Sequence, residues 1–163
     1  MKNSKKIITT LILSIPAIFI FLYKKDDYSE ANLTPINCNA NFSLYDGDTV
    51  MIAALGYDLY DGKGMITLNG TIYENGNKKT SLSIKKYVSY TKKNSYLKLQ
   101  SEEGDTYIDP LTDTTELKKH IPEFYYSEKT SKRILKVIPL DHKKHAWAFS
   151  TSALPYFLCV SVK

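Results

Sequence analysis

The sequence predicts a mainly β protein, with an N-terminal transmembrane helix followed by an antiparallel β-barrel or strongly curled sheet of about eight strands and one short helix. Three observations carry that expectation. An apolar run from Ile7 to Tyr23 lies between Lys5-Lys6 and Lys24-Lys25. Behind it, short stretches of alternating apolar and polar residues recur between Asp-Gly and Asn-Gly turn signals. Between Thr112 and Phe124 the period changes to that of a helix.

The apolar run has 17 residues, the lower limit for a helix crossing a hydrocarbon core about 30 Å thick at about 1.5 Å per residue. It ends Phe19-Ile20-Phe21-Leu22-Tyr23, without the small residues of a cleavage site, which favours a retained anchor over a removed signal. Pro16 is compatible with a membrane helix, where freed backbone groups find substitute partners. Lys2, Lys5 and Lys6 precede the run and Lys24 and Lys25 follow it, a bias that leaves the short tail in the cytoplasm. The expected organisation is a tail and anchor over residues 1–25, a linker over 26–36 ending in Thr34-Pro35, and a β domain outside the cytoplasm over 37–163.

The formal charge of +5 is unevenly distributed. Residues 1–25 hold five lysines and no acid, which leaves 17 basic and 17 acidic residues in the remainder. The domain is therefore neutral overall, and the high pI does not imply a stripe that binds nucleic acid. Lysine pairs at 85–86, 92–93 and 143–144 read as solvated surface.

Cys38 and Cys159 are the only cysteines and sit at opposite ends of the domain. In an oxidising compartment an even count without C-x-x-C favours a disulfide over zinc or a redox dithiol. Such a bridge would pin the first strand to the last; the alternative is two buried free thiols.

From Ile36 to Gln100, turn signals at Asp46-Gly47, Asp61-Gly62-Lys63-Gly64, Asn75-Gly76-Asn77 and Lys93-Asn94-Ser95 separate five candidate strands. Ile66, Leu68, Gly70 and Ile72 share one face of the third, and Leu82, Ile84, Val88 and Tyr90 share one face of the fourth. Gly70 reads as a bend or bulge where the sheet curls. In the helical stretch Leu117 and Ile121 would face the sheet, and Pro122 would stop the helix. Strand patterns return at Arg133–Leu140, His145–Ser150 and Tyr156–Val162.

Catalytic and metal signatures are weak throughout. His142 and His145 flank two lysines without a third ligand, and His120 stands apart in the helix. Asp58, Asp61, Asp105 and Asp109 sit in turn-like settings, where aspartate bonds its own backbone. No serine lies in G-x-S-x-G. The expectation is a binding protein with no catalytic residue, no metal and no cofactor. Tyrosine is abundant, at 13 residues, and two readings compete. One is barrel core; the other is an amphipathic pocket or partner surface, for which Tyr125, Tyr126, Tyr156 and Phe157 are the candidates.

Cys38, the stretch Gly64-Met65-Ile66-Thr67-Leu68-Asn69-Gly70, Ile121-Pro122-Glu123-Phe124-Tyr125 and the ending Leu154-Pro155-Tyr156-Phe157-Leu158-Cys159, together with the anchor, resemble the FidL-like membrane protein family of enteric bacteria. Proteins of that family are often encoded beside membrane-spanning regulators with a cytoplasmic winged-helix domain, similar in arrangement to ToxS-type accessory proteins with ToxR. The resemblance implies a single-pass inner-membrane protein with its C-terminal domain in the periplasm. It would join the regulator's periplasmic part and complete a lipocalin-like chamber for bile-salt-like amphiphiles. A barrel that binds a bile-salt-like or lipidic ligand alone is the alternative. The resemblance brings no catalytic residues.

Overall fold

The structure, a computed structural model, describes residues 35–141, 146–151 and 155–161. The apolar run Ile7–Tyr23, His142 and His145 lie outside these residues. Among the described residues no helix is long and apolar enough to cross a membrane.

The chain folds as β1 (Ile36–Asp46), β2 (Thr49–Tyr60), β3 (Lys63–Glu74), β4 (Asn77–Lys93), β5 (Tyr96–Ser101), β6 (Thr106–Ile108), α1 (Thr114–His120), a 3-10 turn (Glu123–Tyr125), β7 (Ser131–Asp141), β8 (Ala146–Ser150) and β9 (Pro155–Val160). The first five strands and their turns fall where the Asp-Gly and Asn-Gly signals place them. Asp61, Asn75 and Asn94 have positive φ, the conformation two-residue hairpin loops require.

Eight of these strands close into an antiparallel barrel in the order β1-β2-β3-β4-β5-β7-β8-β9, with β9 returning to β1. β6 is a short extra strand that pairs with Ile84–Lys86 of β4; its three residues are too few for a periodic signal in the sequence. Closure removes free edges. The turns β1–β2 and β3–β4 and the long connection 102–130 gather at one end, here the upper end. The start of β1, the turns β2–β3 and β4–β5 and the end of β9 gather at the lower end.

Inward positions follow the alternation. Ile66, Leu68 and Ile72 of β3 and Leu82, Ile84, Val88 and Tyr90 of β4 are all buried, as are Leu55, Leu97, Leu99, Leu135 and Phe149. Each buried aliphatic side chain contributes about 1.5–3 kcal/mol, so the packed interior, not the hydrogen-bonded wall alone, holds the barrel closed. Gly70 is not the site of a bulge: the β3–β4 register shifts between Ile72 and Tyr73. A Cβ at Gly70 would lie 2.3 Å from the Ile52 carbonyl oxygen, so this glycine lets β2 and β3 approach closely.

Among the described residues the seam between β1 and β9 has a single register pair, Asn39 with Val160. Beside it Cys38 and Cys159 form a disulfide, with Cα atoms 5.4 Å apart and a sequence separation of 121. The bridge thus staples the joint that, among the described residues, is most sparsely paired.

Candidate functional site

The connection between β5 and β7 folds over the upper end and inserts into it. α1 begins at Asp113, whose carboxylate accepts the Thr115 amide at 2.8 Å, and Leu117 and Ile121 turn inward and are buried. Pro122 then starts the 3-10 turn that drives Phe124 and Tyr125 into the interior. The connection is clipped to β4 by the Thr80 hydroxyl donating to the Leu111 carbonyl at 2.8 Å and by the Ser83 amide donating to Thr112 Oγ1 at 3.0 Å. Glu116 accepts from Lys79 at 3.3 Å and from Lys119 at 3.1 Å. Those contacts, Lys119 first, hold its carboxyl below the usual range.

Beneath this cap lies a cavity of about 120 Å³ with walls from Phe42, Leu44, Leu55, Leu68, Ile121 and Phe157, and with His120 and Tyr125 as its polar members. Tyr57, Phe149 and Phe157 stack beside it, with ring centroids 4.8–5.7 Å apart. The Tyr57 and Tyr125 hydroxyls are hydrogen-bonded at 2.7 Å. His120 Nε2 lies 3.8 Å from the Asp46 carboxylate.

Two cations also face inward. Lys86 is 1% exposed; its ammonium donates to Thr106 Oγ1 at 2.7 Å and to the Ser127 carbonyl at 2.6 Å, and it lies 5.3 Å from the centre of the Phe124 ring. Burial lowers its pKa to about 8, against the opposing influence of Asp105. The Arg133 guanidinium lies 5.1 Å from the centre of the Tyr125 ring. Both plug aromatics are thus held by a cation on the barrel wall. The reading of the pair 85–86 as solvated surface holds for Lys85 and is overturned for Lys86, which falls in phase with the inward Ile84 and Val88; Arg133, in phase with Leu135 and Val137, is not among the sequence candidates.

The four aromatic candidates separate. Tyr125 is 2% exposed and lines the cavity, so of its two readings it takes the pocket side and not the outward partner surface. Phe157 packs on Tyr57 and lines the cavity. Tyr126 is partly buried against the core. Tyr156 lies in β9, and its side chain is outside the described residues. The aspartates are local: Asp105 accepts the Glu102 amide at 2.9 Å and Asp109 the Leu111 amide at 2.8 Å. Among the described residues no three His, Cys, Asp or Glu side chains are grouped to hold a metal ion. What the arrangement can do chemically is bind an apolar group with a hydroxyl or imidazole contact.

A family model described as the YqeJ C-terminal domain matches residues 35–159, essentially the whole barrel. The chain belongs to that family. The match runs from just before β1 to the second cysteine of the disulfide, one residue short of the end of β9. No curated protein and no solved structure matches the chain.

Proposed function

We propose that this YqeJ C-terminal domain protein is a membrane-anchored periplasmic accessory subunit that binds and modulates a ToxR-like transmembrane transcriptional regulator. It works by binding, without catalysis. The observation that carries this reading is an apolar strip on the outer wall. Ile138 of β7 and Leu158 of β9 flank Ala148 of β8, which is itself buried at 7% exposure. Ile134 and Ile138 of β7 and Leu158 of β9 are exposed. The outward face of a barrel in water is expected to be polar, as Lys85, Ser89 and Thr91 make it on β4; a contiguous apolar strip marks an interaction site. The partner class comes from the FidL-like resemblance and its ToxS-type arrangement. The disulfide supports an oxidising compartment. Confinement of both proteins to one bilayer would raise their effective concentration, so a modest interface suffices.

The test is in-cell photocrosslinking from Ile138 and from Leu158, each replaced by a photoreactive residue, with mass spectrometry of the captured species. Capture of a single-pass winged-helix regulator is expected. No capture from either position, together with unchanged target transcription after deletion, would sink the idea.

The cavity favours a second reading, a stand-alone lipocalin-like periplasmic barrel for a bile-salt-like or lipidic amphiphile. At about 120 Å³ the cavity is smaller than the roughly 300–1,000 Å³ of small-molecule sites. A steroid-sized ligand therefore requires the plug of Phe124 and Tyr125 to move outward. Native mass spectrometry of the purified full chain, with and without added bile salt, separates this reading from the first.

A further inference from the structure

We infer that the cavity beneath the cap is a site for the end of an unbranched alkyl chain, taken up with the cap in place and the polar head left outside, a deepening that rests on the second, amphiphile-binding reading above. Three observations carry it.

The first is the gradation of burial around the cavity. Leu55, Leu68, Ile121 and Tyr125 are buried and form its floor, whereas Phe42, Leu44, His120 and Phe157 are only partly buried and form its rim. The cavity therefore has an inner end and an end toward solvent. The second is how its polar members are used. The Tyr125 hydroxyl is hydrogen-bonded to the Tyr57 hydroxyl at 2.7 Å. His120 Nε2 lies 3.8 Å from the carboxylate of Asp46, a side chain that is 68% exposed. One polar group is thus engaged inside and the other turned toward a carboxylate in solvent, so the floor offers an incoming molecule apolar contact. A space lined in that way lacks the polar partners that ordered water needs, and hydrocarbon is its favourable filling.

The third is size. An apolar cavity of about 150 Å³ takes a single benzene ring; this one, at about 120 Å³, has no room for the fused rings of a steroid while Phe124 and Tyr125 stay in place. A straight chain is one methylene wide and enters end first, so a few of its carbons fill the floor without moving the cap. Each methylene buried there tightens binding about fourfold, until the cavity is full. The head of the molecule then lies at the rim beside His120 and Asp46. Size and shape select the chain and not the head, so a free fatty acid and a phospholipid acyl chain are both sources of the same ligand chemistry.

The experiment uses the full chain in isolated membranes, photolabelled in separate samples with a fatty acid, a lysophosphatidylcholine and a bile acid, each carrying a diazirine, with adducts mapped by mass spectrometry. A diazirine at the chain terminus is expected to label Leu55, Leu68 or Tyr125, and one next to the head Phe42, Leu44 or His120. Excess unlabelled chain should reduce both several-fold, and the bile acid should label the floor several-fold less. Floor labelling by the fatty acid alone assigns the site to free acids, and by the lysophospholipid alone to lipid. Leu68→Phe, which fills the floor, should lower terminal labelling several-fold; if that variant does not fold, the order of labels in the wild type decides by itself. Terminal labels confined to the outer wall, or insensitive to excess chain, would overturn the inference. A bile acid that labels the floor as well as the straight chain does defeats the alkyl-chain site and leaves the amphiphile-binding reading standing, whereas no floor label from any probe defeats both.

Discussion

The Tyr57 hydroxyl meets the Tyr125 hydroxyl at 2.7 Å in the buried interior, joining a strand of the wall to the tip of the connection that plugs the upper end. The two residues are 68 apart in sequence. This bond and the cation contacts of Lys86 and Arg133 make the cap part of the core.

Removing either hydroxyl should loosen the cap. Tyr57→Phe and Tyr125→Phe are each expected to lower the unfolding free energy by about 1 kcal/mol, with a double variant less destabilised than the sum. Tyr125→Ala should cost about 3–5 kcal/mol, because a buried ring is lost along with the bond. Urea unfolding of the four proteins checks both statements.

Loss of the Cys38–Cys159 bridge should open the sparsely paired seam. With the cysteines separated by 121 positions in sequence, Cys38→Ala or Cys159→Ala is expected to cost about 4–5 kcal/mol in the chain-entropy account. Hydrogen exchange should localise the effect: amides of β1 and β9 would lose protection ahead of those of β3 and β4. Uniform loss across all eight barrel strands would show that the bridge acts only on the unfolded chain.

Lys86 gives the fold a dependence on alkaline pH. Its pKa is lowered from 10.5 to about 8 by burial. Below about pH 8 the group is protonated in both states and the buried charge opposes folding in full. As pH rises from about 8 toward 10.5, the folded protein releases a proton that the unfolded chain keeps, so this group's contribution to stability rises. Lys86→Met lacks that contribution while Thr106 still donates to Ser127. Across this window the wild type should gain stability relative to Lys86→Met; a pH-independent difference between them would refute the assignment.

Gly70→Ala tests the close approach of β2 and β3. Its Cβ would meet the Ile52 carbonyl oxygen at 2.3 Å and Ala53 Cα at 2.8 Å, both backbone atoms that can yield only if the strands part. A loss of about 1–3 kcal/mol is expected. Thermal unfolding of Gly76→Ala is a useful comparison, since that position has open space and only its positive φ to oppose the change.

The sequence by itself determined the eight barrel strands, though not the short β6, together with the hairpin turns, the helix after Thr112 and the plausibility of the disulfide. These depend on local rules: period-two alternation sets which side of a strand is buried, and Asp-Gly or Asn-Gly sets where the chain can reverse. Only the tertiary structure decided that β9 pairs with β1 to close the ring, that Lys86 and Arg133 hold the aromatics of the plug, and that Tyr125 points inward. Each of those facts joins residues far apart in sequence, and the contact that selects them exists only once the sheet has curled. A tyrosine reads the same in the sequence whether its hydroxyl meets water or another tyrosine; burial distinguishes the two, and burial is a property of the closed barrel.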